Sequence, residues 1–247
     1  MPDVTGYRAK VGIIIPSTNT VVEADFNELR IPGVTFHAGR MHIEQAALDS
    51  DAAFKGLLQQ VDSAFKVALR DVMTCEPDHI TMAMSAPTFW GGKAGNEKFL
   101  ANAATLTPLS VTTGAESCRS ALEALGVRRI AVLTPYQPIM RAEIVRYFED
   151  VGFKVLDYHD MKCASATAIA QVEPAESRKI INKLNGSDID AIVQAGTNLS
   201  MVRLAADLEK ELGKPVLAIN AAIVWRTYRD LGFLDRIPNA GRLLGEH

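Results

Sequence analysis

Four short stretches of this chain collect small hydroxyl and amide residues: Ser17-Thr18-Asn19-Thr20, Ser85-Ala86-Pro87-Thr88, Thr134-Pro135-Tyr136 and Thr197-Asn198. Each follows an apolar run, as in V-G-I-I-I-P-S-T-N-T-V-V-E from Val11 to Glu23. Hydroxyls, amides and helix-end N–H groups are neutral donors, and a cradle of them suits a small anion such as a carboxylate. A metal ion is not expected, because no cluster of His, Asp and Glu with ligand spacing accompanies them; no cofactor is expected either. Gly91-Gly92-Lys93-Ala94-Gly95 lacks the G-K-[ST] ending of a phosphate loop and reads as a flexible loop over a cleft. His37, His42, His79 and His159 fall in or beside expected strands, His247 is terminal, and no Ser-His-Asp arrangement emerges from the order of residues.

Some of the polar residues have plainer work to do. Thr20-Val21-Val22-Glu23 has the S/T-x-x-E form of a capping box, so Thr20 and Glu23 are expected to close the first turn of a helix. That leaves Ser17, Thr18 and Asn19 unexplained. Pro138 in T-P-Y-Q-P suits the first position of a helix, and Thr197 and Asn198 have the residue types of helix caps.

The elements that must position these stretches follow from hydrophobic periodicity. Apolar runs of strand length alternate with segments of helical period, the pattern of an α/β fold on mainly parallel sheets. Strands are expected at Lys10–Ile15, Val34–His42, His79–Met84, Leu109–Val111, Arg129–Leu133, Lys154–His159, Ala191–Val193 and Val216–Ile219. From Asp51 to Val72 the residues Phe54, Leu57, Leu58, Val61, Ala64, Phe65, Ala68, Leu69 and Val72 line one face of a long helix. R-I-A-V-L-T-P-Y repeats the logic of G-I-I-I-P-S-T-N. Pro135 follows Pro16 at an offset of 119 residues and Gly196 follows Met84 at 112, so matching order at nearly constant offset implies two similar units. We expect two pseudo-symmetric Rossmann-like lobes, each with a four-stranded sheet flanked by helices, residues 1–115 with 222–247 forming one and 116–221 the other. In open parallel sheets ligands bind beyond the carboxyl ends of the strands, so the cleft between lobes is the natural site.

Composition narrows the partners. At 247 residues, 48% hydrophobic and 22% charged with a net charge of −3, the chain has no basic surplus for nucleic acid, and its Lys and Arg are dispersed. No apolar run approaches the ~20 residues of a membrane span, and the N-terminus lacks the apolar core of a signal peptide, so a cytoplasmic protein is expected. Cys75, Cys118 and Cys163 are odd in number and widely spaced, which points to reduced thiols rather than disulfides or zinc. A homo-oligomer is compatible with the helical surface.

The motifs P-S-T-N-T-V-V-E, L-T-P-Y and A-G-T-N-L followed by L-E-K-E-L-G-K-P-V-L-A-I-N-A-A-I-V-W resemble the Asp/Glu racemase superfamily. Within it they are similar to the branch of maleate cis-trans isomerases, arylmalonate decarboxylases and the related ectoine-utilisation protein. The resemblance covers most of the chain and implies paired α/β lobes. It implies a carboxylate held by Asn19, Tyr136 and the hydroxyl and backbone N–H groups around Ser85, Ala86 and Thr88 and around Thr197 and Asn198, with Ser17 and Thr20 alongside. Family chemistry depends on cysteines at the tips of the third strands. Those positions correspond here to Met84 and Gly196, so both thiols are replaced.

A thiol of pKa ~8.5 supplies a usable anion at neutral pH, whereas Tyr at ~10 and Ser without a base do not. The resemblance with this departure implies a cofactor-independent isomerase or lyase of a small carboxylate or dicarboxylate. It would work through donors that stabilise an enediolate, each worth roughly 3 kcal/mol, with protons carried by Tyr136, Ser85, Thr88, Glu23 or water. Two alternatives stand beside it. One is a hydrolase or hydratase with an attacking water in space vacated at Met84 and Gly196; the other is a protein that binds a carboxylate without transforming it.

Overall fold

The run Val11–Ile15 is apolar, rich in β-branched residues and buried on both faces, as a central strand covered by helices on each side must be. The computed structural model describes residues 3–44 and 47–247. In it this run is the core of β1 (Ala9–Pro16), which pairs with β2 (Val34–Met41) on one side and β3 (His79–Met82) on the other, with β4 (Val111–Thr113) beyond. The second sheet repeats the plan with β5 (Arg129–Thr134), β6 (Lys154–Asp160), β7 (Ala191–Gln194) and β8 (Val216–Ala218). The orders β2-β1-β3-β4 and β6-β5-β7-β8 are the same, and every pair is parallel. The paired α/β lobes expected from the offset repeat are therefore present. In both sheets the winding reverses at the first and third strands, and this opens a crevice at their carboxyl ends.

The helices are α1 (Val22–Glu28), α2 (Asp51–Met73), α3 (Ala86–Phe89), α4 (Gly92–Ala104), α5 (Gly114–Ala124), α6 (Ile139–Asp150), α7 (Ala166–Ile169), α8 (Pro174–Leu184), α9 (Val202–Leu212), α10 (Ile219–Asp230) and α11 (Gly241–Glu246). The Ser50 hydroxyl caps α2 by accepting the Ala53 N–H at 3.2 Å, and the expected stripe buries Phe54, Leu57, Val61, Phe65, Ala68, Leu69 and Val72. That helix lies close on β2 because Gly39 has no side chain: a Cβ there would stand 2.5 Å from the Ala68 carbonyl oxygen. Helix α10 leaves β8 and packs on α5 and α1, so the end of the chain ties the two sheets together.

Three expectations need correction. The fourth strand is Val111–Thr113 rather than Leu109–Val111, because Val111, Thr112 and Thr113 take the register positions beside Ile80, Thr81 and Met82. Leu109 is apolar because it packs against the core, and its N–H is taken by the Thr107 hydroxyl at 3.2 Å. The strands near His79 and Val216 also end earlier than expected, leaving Met84 in the turn after β3 and Ile219 at the start of α10. Finally, Gly91 to Gly95 is no loop over the cleft. Gly91, with φ 86°, precedes α4, and Gly95 lets the helix start against Trp90, whose carbonyl oxygen a Cβ would meet at 1.9 Å.

Gly39→Ala should push α2 off β2 and destabilise the protein by about 1–3 kcal/mol. Urea unfolding would detect this, and an unchanged midpoint would show that the helix can shift freely.

Candidate active site

The turn after β1 is built by Asn19. Its Oδ1 accepts the N–H groups of Val21 and Val22 at 3.0 and 2.9 Å, so Asn19, not the Thr20–Glu23 box, closes the first turn of α1. Thr20 is exposed, and its N–H is given to Asn198 Oδ1 at 3.0 Å, across to the other lobe. Glu23 pairs with Arg40, whose guanidinium also holds the Ser17 and Asn19 carbonyls. Ser17 turns outward, its hydroxyl accepting the Ile43 N–H at 3.0 Å. Asn19 itself is 2% exposed and its Nδ2 has no partner, which is costly unless something else accepts from it.

From the turn after β3, the buried Ser85 hydroxyl meets Tyr136 OH of the second lobe at 2.6 Å. Thr88 fixes this turn: its hydroxyl donates to the Ser85 carbonyl at 2.8 Å and accepts the Ala115 N–H at 3.2 Å, so it is structural rather than free for a ligand. Burial pushes the Tyr136 phenol up to about 12, against the opposing pull of hydrogen bonds from Ser85 and the Ala86 N–H. Thr134, which precedes this turn, has its hydroxyl beside Tyr158 OH at 3.2 Å. After β7, Thr197 and Asn198 cap no helix, since α9 begins only at Val202; Asn198 Nδ2 instead donates to the Ala166 carbonyl at 2.8 Å.

These turns enclose a cavity of about 40 Å³ between the lobes. Pro16, Thr18, Asn19, Leu48, Leu57, Met84 and Ala86 line it from one side and Tyr136, Ala166, Ile169, Thr197 and Asn198 from the other. Of the expected residues, Asn19, Met84, Ala86, Tyr136, Thr197 and Asn198 meet there. Ser85 stands one step behind Tyr136, while Ser17, Thr20, Thr88 and Gly196 are not in its wall. Sequence reasoning did not anticipate the apolar half formed by Leu48, Leu57, Ala166 and Ile169; Leu57 lay within the α2 stripe, but nothing in its spacing marks which end of the stripe reaches a cavity. The volume is near that of a single water. Two loops close it: Ala47 bridges Ser165, and the Leu48 N–H donates to the Ala164 carbonyl at 2.9 Å.

Gly196 does not leave room for a water. A Cβ there would fall 2.4 and 2.5 Å from Cδ and Cγ of Pro135, so the proline ring already fills the space a side chain at this position would take. This removes the observation on which the hydrolase or hydratase alternative rested. None of the cysteines lines the cavity: Cys118 is buried in α5, where burial raises its thiol far above the usual range, and burial raises Cys163 as well. Among the described residues no group of His, Cys, Asp or Glu could hold a metal ion, and no helix is long and apolar enough to cross a membrane.

A family model described as arylmalonate decarboxylase matches residues 11–244. The chain belongs to this family. It is 26% identical over 243 residues to a maleate isomerase of Pseudomonas putida, covering 95% of this chain and 96% of that one. It is 23% identical over 240 residues to the arylmalonate decarboxylase of Bordetella bronchiseptica, covering 96% of each. In fold it matches the Nocardia farcinica maleate cis-trans isomerase carrying a covalently bound succinylcysteine intermediate, with a TM-score of 0.87, 24% identity and coverage of 96% and 98%. The relatives are thus named for isomerisation of maleate and for decarboxylation of arylmalonates.

Gly196→Cys should not restore a working thiol. Its Cβ must displace the Pro135 ring, at a cost on the order of 1–3 kcal/mol. Thermal unfolding and thiol titration would check this, and a variant as stable as the parent with a reactive thiol would show that the ring yields.

Proposed function

We propose that this protein decarboxylates a small malonate-type acid carrying an apolar substituent, with Tyr136 in place of the thiol as proton donor. The observation that carries this reading is the pairing, in one cavity, of an unpartnered buried amide, Asn19 Nδ2, with Tyr136, the one ionisable side chain among those that line it. Asn19 offers a donor to the carboxylate that is retained. The other carboxylate then faces Leu48, Leu57, Met84 and Ile169, where water cannot solvate its charge, and that disfavours the anion relative to neutral carbon dioxide.

When the carbon–carboxylate bond breaks, its electron pair passes into the α-carbon and the retained carboxylate, giving carbon dioxide and an enediolate. Tyr136 then gives its proton to the α-carbon. The Ser85 hydroxyl and the Ala86 N–H sit at the phenol oxygen, where they stabilise the phenolate left behind, as oxyanion donors do elsewhere; water returns the proton. With a pKa pushed up to about 12, Tyr136 is neutral and a proton donor throughout the physiological range.

Thiolate addition of the kind the Nocardia farcinica intermediate records has no nucleophile in this cavity, so maleate isomerisation is not expected here. Substrate must part the segment at Leu48 from helix α7 to enter, because a cavity of about 40 Å³ is smaller than any such acid.

The test is to incubate the protein with phenylmalonate, methylmalonate and maleate in deuterated water. Carbon dioxide release from a substituted malonate with one deuterium at the α-carbon is expected, with no fumarate from maleate. Tyr136→Phe should lower kcat by about 10²–10⁴, with a much smaller effect on KM. Binding without turnover would instead favour a carboxylate-binding protein, and full activity in Tyr136→Phe would overturn the assignment of the proton donor.

A further inference from the structure

Asp25 lies on the buried face of α1, 6% exposed, outside the wall of the cavity. Its Oδ2 accepts the Asn220 Nδ2 at 2.7 Å, and the same Nδ2 donates to the Thr197 carbonyl at 3.0 Å. Because a carboxylate and a carbonyl are both acceptors, only the NH₂ end of Asn220 can face them, and this fixes the orientation of the amide. Asn220 Oδ1 is left buried without a partner. The chain of contacts closes on itself: Thr197 precedes Asn198, Asn198 Oδ1 takes the Thr20 N–H, and Thr20 follows Asn19, the cap of the helix that carries Asp25. One ring of bonds thus runs through both sides of the carboxylate cradle.

We infer that Asp25 is a positioning residue and a proton-operated latch: its ionised carboxylate holds Asn220, and through it the Thr197–Asn198 turn, in the geometry that binds the substrate carboxylate. Protonation removes the charge that holds the Nδ2 and creates an O–H in need of an acceptor. The unpartnered Asn220 Oδ1 is that acceptor. Turning the amide to satisfy it takes the Nδ2 away from the Thr197 carbonyl and frees the turn. The inference rests on the carboxylate site proposed above.

The latch is set to work in a usable range. Burial raises Asp25 to about 6, opposed by the Asn220 hydrogen bond. Of the charged groups on α1 and on the elements packed around it, Glu28 raises it further and Arg203 of α9 lowers it; these two are themselves paired at 2.6 Å. Arg40 of β2 is engaged with Glu23, and Arg226 of α10 with Asp230. Since the folded value lies above the ordinary carboxylate value of 3.8, protonation favours the fold. The stability Asp25 contributes is full below about pH 4 and is lost as pH rises through about 6. Carboxylate binding should move the opposite way and weaken as pH falls through 6, a divergence that simple acid unfolding cannot produce.

The experiment compares wild type with Asp25→Asn from pH 5 to 8, following the Asn220 side-chain amide and the Thr197 and Asn198 backbone amides by NMR, the unfolding midpoint, and phenylmalonate affinity by calorimetry. In wild type the amide signals should titrate near pH 6 and affinity should fall below it. In Asp25→Asn the titration should vanish, and affinity at pH 7.5 should be lower by about tenfold, the scale of a lost hydrogen bond to a charged group. Should Asp25→Asn fail to fold, Asn220→Ala must abolish the pH dependence of affinity while the wild-type signals still titrate. Unshifted wild-type amides across pH 6, or the same affinity profile in wild type and variant, overturns the latch. Titrating amides in a protein that binds no carboxylate at any pH would overturn the functional reading and leave the latch standing.

Discussion

The hydrogen bond between Ser85 and Tyr136, 2.6 Å long and shielded from water, joins the carboxyl end of one sheet to that of the other. Both hydroxyls are buried, and separating them would cost about 1–3 kcal/mol. The two lobes are therefore held in the relative position that satisfies both. Everything functional follows from that placement: the crevices of two open sheets, each shallow by itself, become opposite walls of one cavity, and a phenol from one lobe is set beside an N–H group from the other.

The internal symmetry is structural and its use is not symmetric. The first lobe supplies Asn19, whose oxygen caps a helix and whose nitrogen is left over for a ligand. The matching turn of the second lobe supplies Pro135 and Tyr136, a ring that occupies space and a hydroxyl that holds a proton. At the third strands the difference is sharper. Met84 lines the cavity as an apolar side chain, whereas Gly196 is withdrawn behind Pro135. The paired-lobe architecture is thus kept while the two third-strand turns differ in what they present.

Apolar packing forms the other half of the cavity. The cavity is polar at Thr18, Asn19, Tyr136, Thr197 and Asn198 and apolar at Leu48, Leu57, Met84 and Ile169. A second charge on a ligand held at the polar end would lie against hydrocarbon with no cation to meet it, which raises its energy relative to a neutral product. The segments that lead into Leu48 and into α7 meet at the Ala47–Ser165 bridge, so the apolar wall and the cover of the cavity are one structure.

The fold class, the doubled lobes, the long helix from Asp51 and most of the cradle were legible in the chain, because hydrophobic period and the order of apolar runs are local properties that survive any packing. P-S-T-N-T, M-S-A-P-T and A-G-T-N announced donors at strand ends for the same reason. What the sequence could not decide was which donors are spent. Asn19 rather than Thr20 caps α1, Ser17 and Thr88 serve the backbone, and Gly196 faces a proline rather than open space. These outcomes depend on contacts between residues distant along the chain: Thr20 with Asn198, Ser85 with Tyr136, and Asp25 with Asn220. Composition and spacing determined a two-lobed α/β protein with neutral donors at its strand ends. Only the tertiary structure decided that Tyr136 and the free amide of Asn19 remain available within it, since a hydrogen-bonding group is free only after every neighbour has been placed.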